Sequence, residues 1–287
     1  MRHRLGLPDE DAAAIDAEAL ARWKGEGVPP IEEIIDGAGV DICELDLDQV
    51  PVAVLSTAID AAVRGESLNG FFEPSTDTIY LRADLSPPLR RFVLAHELGH
   101  AVLTSHRELS GRRLTRRAVA VLEAQADRFA ATLMLQGRAF ERSLPTPLTL
   151  ACLAEASDRW QAPLLTAARR VTHDAEAPTA LLELDLEDRR VLRLRSHESA
   201  AAWASHGPLG ARIPRNHHGW GVLEHYIGEA GSAPVEGHLL LSSSRRADVR
   251  TPVEVVRVRD ELAIALLTGL VDPGGRRRRR LTLSVGH

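Results

Sequence analysis

The chain has 287 residues, 44% of them hydrophobic and 26% charged, with a formal net charge of −5. That composition excludes a disordered or collagen-like chain and leaves room for one large domain or two to three small ones. Only two cysteines, Cys43 and Cys152, stand against twelve histidines, so a disulfide scaffold and a four-thiolate zinc site are excluded, and any metal must sit on imidazole and carboxylate.

In chain order, Met1-Arg2-His3-Arg4 runs into acidic, alanine-rich sequence rather than an apolar targeting segment. An alanine-rich helix is predicted near residues 9–24, ending at Gly25 and Gly27. Pro29 and Pro30 open a second over 31–38, closed by Gly39. Val40, Ile42, Leu45 and Leu47 alternate as a short strand. Gly70-Phe71-Phe72 and residues 76–81 form a hairpin, with Ile79 and Leu81 on one face. Ser86-Pro87-Pro88 starts a helix, Ser86 as cap and proline where its missing N–H costs nothing, and this helix runs to about Leu103. A basic connector (Arg107, Arg112, Arg113, Arg116, Arg117) leads to a helix over 118–135, stopped by Gly137. Past Pro145 and Pro147, residues 148–171 read as two or three short helices.

Beyond Pro178 the apolar period shortens to two. Leu182, Leu184 and Leu186, a Glu187-Asp188 turn, then Leu192 and Leu194 signal a hairpin, with later strands at 239–243 and 253–258. The predicted fold class is α+β, with a helical extension (1–27), a core (28–143), a helical segment (144–177) and a β-rich α+β domain (178–287). Charge is uneven: residues 1–84 carry a net −12, residues 85–173 a net +6 and residues 174–287 a net +1. An acidic front and a basic middle suit internal complementarity or the steering of a charged partner. The apolar stretches are far shorter than the ~18 residues of a membrane span, so a cytoplasmic chain without membrane contact is expected.

The chemistry concentrates in His96-Glu97-Leu98-Gly99-His100, inside the helix that Ser86 opens. Residues four apart share a helix face, so His96 and His100 can offer nitrogens to one ion. Glu97 stands beside the first ligand, placed to take a proton from water at the ion's open position and pass it to a leaving amine. Zinc suits mixed nitrogen and oxygen ligands, with manganese as the alternative ion. Two residues compete for the third ligand. His106 follows His100 by six, but that arrangement needs a sharp turn where this chain has Leu103 rather than glycine. Glu123 lies on the next helix with Asp127 one turn on. One acid can then bind metal while the other accepts the free N–H of a ligand histidine. Glu123 is preferred, since two histidines and a glutamate are an established catalytic zinc set.

Phe92 to His100 (FVLAHELGH) followed by Glu123 to Met134 (EAQADRFAATLM) resembles the ImmA/IrrE-type metallopeptidases, across roughly residues 28–143. Gly70-Phe71-Phe72 and Thr78-Ile79-Tyr80-Leu81 are similar to that family's segment ahead of the active-site helix. The resemblance implies a zincin-like metallopeptidase core with zinc on His96, His100 and Glu123 and Glu97 as general base, which leaves Asp127 as the acid behind a ligand. Gln125 stands where the family commonly has a second glutamate, and Leu135-Gln136 replaces its Met-Pro. The resemblance also implies a protein substrate, a helix-turn-helix repressor whose cleavage derepresses stress or mobile-element genes. The alternative is a regulator that sequesters its repressor uncut. Residues 144–177 resemble the helix-turn-helix-like segment that follows this core, and 178–287 sit where relatives carry a GAF-like sensory domain.

Other signals are weaker. The strand at 77–83 is read as an exposed edge on which an extended substrate could pair. Tyr80 and His173 are candidates to steady an oxyanion. The second short helix is dominated by Ala162, Leu164, Leu165, Ala167 and Ala168, so direct nucleic-acid binding is not expected. Arg276 to Arg280 read as a solvated run before a last strand at 281–285. His206, His217, His218, His225 and His238 match no ligand spacing. Cys43 and Cys152 are read as buried thiols.

Overall fold

The computed structural model describes residues 12–45, 69–109, 114–145, 148–174, 179–187, 190–198, 218–230, 233–243 and 246–268. The basic stretches at 112–113 and 276–280, the strand expected at 281–285, and His206 and His217 lie outside them. The chain is α+β and divides into two compact units, 1–170 and 171–287.

In the first unit, α1 (Ala12–Arg22) and α2 (Ile31–Gly37) precede β1 (Asp41–Leu45), β2 (Gly70–Glu73) and β3 (Thr78–Arg82). Then come α3 (Pro87–Val102), α4 (Thr104–Leu109), α5 (Arg116–Leu135), α6 (Arg138–Arg142), α7 (Leu150–Arg159) and α8 (Leu164–Asp174). The prolines at the start of α3 sit in its first turn, as expected, but Ser86 caps only by position, since its side chain makes no bond to the helix. Thr115 and Thr149 do cap: their hydroxyl oxygens accept the N–H of Ala118 at 3.2 Å and of Cys152 at 3.1 Å, at the starts of α5 and α7.

The sheet order is β1-β3-β2, with β1 parallel and β2 antiparallel to β3. This corrects the edge expectation for 77–83. β3 is the central strand, because both its sides are consumed by neighbours that lie earlier in the chain. Ile79 and Leu81 are buried on the face that meets α3. Gly70, opposite Leu81, has no room for a side chain, since a Cβ there would lie 2.7 Å from Val93 Cγ1 of α3. Behind the sheet, α3 buries Val93, Leu94, Ala95, Leu98, Gly99 and Ala101, and α5 buries Leu122, Ala126, Phe129, Ala130 and Leu133. Each fully buried leucine or phenylalanine contributes roughly 1.5–3 kcal/mol. At Gly99 the helices nearly touch, a Cβ there meeting Phe129 Cδ1 at 3.2 Å and Ala126 Cα at 3.4 Å. A larger residue would push α5 away from the histidines of α3.

α1 is fastened to α5. Asp16 accepts from Arg128 Nε at 3.0 Å and from the Thr132 hydroxyl at 2.7 Å, and Arg170 of α8 donates to the same hydroxyl at 3.1 Å. Cys43 and Cys152 are free thiols, half-buried rather than buried.

In the second unit, β4 (Thr179–Glu187), β5 (Arg190–Glu198), β6 (Val235–Ser243), β7 (Arg246–Arg259) and β8 (Leu262–Thr268) form an antiparallel sheet in the order β5-β4-β8-β7-β6. Alternate residues Leu182, Leu184, Leu186, Val255, Ala263 and Ala265 face Leu223 and Ile227 of α9 (His218–Glu229) in one apolar cluster. No helix among the described residues is long and apolar enough to cross a membrane.

Candidate metal centre

α3 carries His96 and His100 one turn apart, and their Nε2 atoms converge to 3.1 Å. From α5, Glu123 brings Oε2 to 3.3 Å from His96 Nε2 and Oε1 to 3.9 Å from His100 Nε2. Ligands ~2.0–2.1 Å from a tetrahedral zinc lie about 3.3 Å from one another, which is the spacing seen here. The three ligand atoms all fall within 4.8 Å of each other, and no other group of metal-ligating residues forms among the described residues. Donor chemistry and spacing both fit a divalent ion.

Asp127, one turn after Glu123, accepts a hydrogen bond from His96 Nδ1–H at 3.0 Å. That bond places the proton on Nδ1 and leaves Nε2 bare for an ion. Burial acts against a charged His96, but Asp127, Glu123 and the nearby Glu97 outweigh it and hold its pKa well above the usual value. His100 is pushed down to about 3, by burial first and then by the charge on His96.

Glu97 faces the same place from the buried side of α3, with 7% of its surface exposed. Burial raises its carboxyl from 4.5 to about 7; His96 pulls it down, Glu123 pushes it up, and a backbone hydrogen bond from Phe72 pulls it down. The origin of the Phe72 bond lies in the pleat of β2. Arg82 N–H bonds to Asn69 O at 3.0 Å, so alternation along the hairpin turns Phe72 N–H away from β3, toward Glu97.

His106 is brought to the centre, but behind it. Leu103 ends α3 in an extended conformation (φ −71°, ψ 122°), so the chain turns into α4 without needing a glycine. His106 is then buried, with Nδ1 2.8 Å from His100 Nδ1 and Nε2 3.1 Å from Gln125 Oε1. Both its nitrogens face these partners rather than the three ligand atoms. Tyr80 is not brought to the centre: it stacks on Phe71 with ring centroids 5.1 Å apart, on the sheet face away from α3. The side chain of His173 lies outside the described residues. His225 pairs with Glu229 at 3.5 Å on the exposed side of α9, and His238 is exposed on β6. Sequence reasoning missed the Phe72 N–H, Gln125 and Arg169, whose Nη1 lies 3.7 Å from Asp127 Oδ2. Only Gln125 had a legible signal, its place two residues after Glu123 on the same helix.

A solved structure described as a Mycobacterium tuberculosis transcriptional regulator is similar in fold, with a TM-score of 0.56 and 13% identity over 93% of this chain and 90% of that chain. Comparison with curated proteins gives no match. Residues 35–172 match the family model described as the IrrE N-terminal-like domain, Peptidase_M78, which contains every residue of the centre. That match identifies residues 35–172 as a domain of the ImmA/IrrE metallopeptidase family.

Proposed function

We propose that this chain is a zinc-dependent endopeptidase, with manganese as the alternative ion, acting in the cytoplasm on a helix-turn-helix repressor and so derepressing stress or mobile-element genes. Its zincin-like core holds the ion on His96, His100 and Glu123. The observation that carries the reading is Glu97, a buried carboxyl about 7 in pKa beside three converged ligand atoms. A fold that only bound a partner would gain nothing from burying such a group.

A bound zinc ion would supply Lewis acidity to the scissile carbonyl and lower the pKa of adjacent water. The proton work belongs to Glu97. Its carboxylate takes a proton from the attacking water and returns it to the leaving nitrogen, and a base near 7 is matched to neutral pH. Phe72 N–H fixes the carboxylate's orientation, and Asp127 fixes the ring of His96.

One feature accords with a protein substrate rather than with DNA. The two arginines of α8 point into their own unit, Arg169 toward Asp127 and Arg170 toward Thr132 and Asp16, so they are engaged away from any phosphate. The solved structure of similar fold bears the name of a transcriptional regulator, which accords with a role in gene control. We assign the second unit a sensory, GAF-like role on its antiparallel sheet and the helix that covers it among the described residues.

The test incubates the full chain and zinc with the product of any adjacent repressor gene. Cleavage by the wild type, absent in Glu97→Gln, supports the reading. An intact repressor held in a stable complex by the wild type overturns it in favour of sequestration.

A further inference from the structure

Behind the ligands, a chain of polar contacts runs from His100 to two side chains that the proposed mechanism leaves unused. His100 Nδ1 lies 2.8 Å from His106 Nδ1, and His106 Nε2 lies 3.1 Å from Gln125 Oε1. His106 comes from α4 and is 5% exposed; Gln125 comes from α5, two residues after Glu123.

The hydrogens on this chain follow from bonding capacity. A carboxamide oxygen only accepts, so His106 Nε2 must carry the hydrogen that it receives. A neutral His106 with hydrogen on Nε2 has a bare Nδ1. Two Nδ1 atoms at 2.8 Å need one hydrogen between them, so His100 donates it. His100 is then bare at Nε2, the atom that converges with His96 Nε2 and Glu123. Turning the carboxamide over would reverse every bond and place a hydrogen on His100 Nε2, where a metal must bind.

We propose that Gln125 is a positioning residue: acting through His106, its carboxamide oxygen fixes the tautomer of His100 that can bind metal. No change of net charge is involved, only the placement of hydrogens on neutral rings. The two ligand histidines are then oriented by different means, His96 directly by a carboxylate and His100 by an amide relayed through a second imidazole. The inference rests on the reading of His96, His100 and Glu123 as a zinc site.

The experiment measures zinc affinity of the full chain by competition with a chromophoric chelator, at fixed pH, in the wild type, Gln125→Glu and Gln125→Leu. Glutamate keeps an acceptor at this place and is expected to bind zinc within about threefold of the wild type. Leucine keeps the bulk but no acceptor, and is expected to weaken binding about 10–100-fold, the range for groups that orient a ligand. Nitrogen-15 spectra of the zinc-loaded wild type should show His106 protonated on Nε2. Wild-type affinity in Gln125→Leu, or a His106 protonated on Nδ1, overturns the inference and leaves the zinc site standing. A wild type that holds no zinc overturns both.

Discussion

Both units bury apolar side chains, and they differ in where buried ionisable groups gather: around one place in the first unit, and at Glu183 of β4 in the second among the described residues. Under α9 the sheet of the second unit encloses an apolar cluster, from Leu182 and Leu184 to Ala265 and Leu267. The first unit buries Glu97 beside β2 and His106 beside His100 and Gln125, with His96 and His100 close to the same place. Burying an ionisable group costs several kcal/mol unless it is bonded or neutralised, whereas burying a leucine stabilises. Glu97 and Leu184 are comparably hidden from solvent, yet the first is kept at a cost and the second is part of what holds its unit together. The chemistry belongs where such groups converge on one place, as Glu97 does with His96, His100 and Glu123.

The largest expected effect is on catalysis. Glu97→Gln should lower the rate of repressor cleavage by about 10²–10⁴-fold, the usual contribution of a general base, while zinc content stays at the wild-type level. Initial rates and metal analysis check it, and a rate within tenfold of the wild type would break the contrast at its strongest point. On the apolar side, Leu184→Ala should cost about 2–5 kcal/mol in the unfolding of the second unit, through lost burial and the cavity left behind. Differential scanning calorimetry reads it, and chelator competition should find the zinc affinity of the first unit unchanged.

A third prediction gives Glu97 the opposite sign to Leu184. Its folded carboxyl is raised from 4.5 to about 7 by burial. At low pH the folded and unfolded chains are both protonated there, and the residue adds no cost. As pH rises through 4.5 the unfolded chain ionises first, so stability falls, until above about 7 the loss is complete at about 3 kcal/mol. Glu97→Gln removes this loss. Denaturation of the metal-free protein should therefore show the variant gaining on the wild type between pH 5 and pH 8, and parallel profiles would refute the burial argument.

The same contrast explains what could be read from sequence. His96 with His100, and Glu123 with Asp127, are pairs four apart on one helix, so local geometry alone places each pair on a face. The convergence of the two pairs depends on the tight approach at Gly99, which a linear pattern does not display. Strand order is less legible still. β3 lies between β1 and β2 although both precede it, because pairing is decided by which faces bury against α3 and not by sequence proximity. The run 262–267 is buried at every position and carries no alternation, so its pattern does not mark it as a strand. α9 was hidden by Gly219 and Gly221, which weaken a helical pattern.

The smallest effect falls between the two kinds of burial. Asp127 touches no proposed ion, yet accepts the Nδ1–H of His96 and lies near Arg169. Asp127→Ala leaves that N–H without its carboxylate, so His96 can turn and can carry its hydrogen on either nitrogen. Zinc affinity should fall about 10–100-fold, with all three ligands intact. Asp127→Asn keeps an oxygen acceptor without the charge and should fall between the alanine variant and the wild type. Chelator competition orders the three proteins. If Asp127→Ala binds zinc as tightly as the wild type, Glu123 and the histidines hold the ion unaided, and the polar groups buried around them serve some other purpose than orientation.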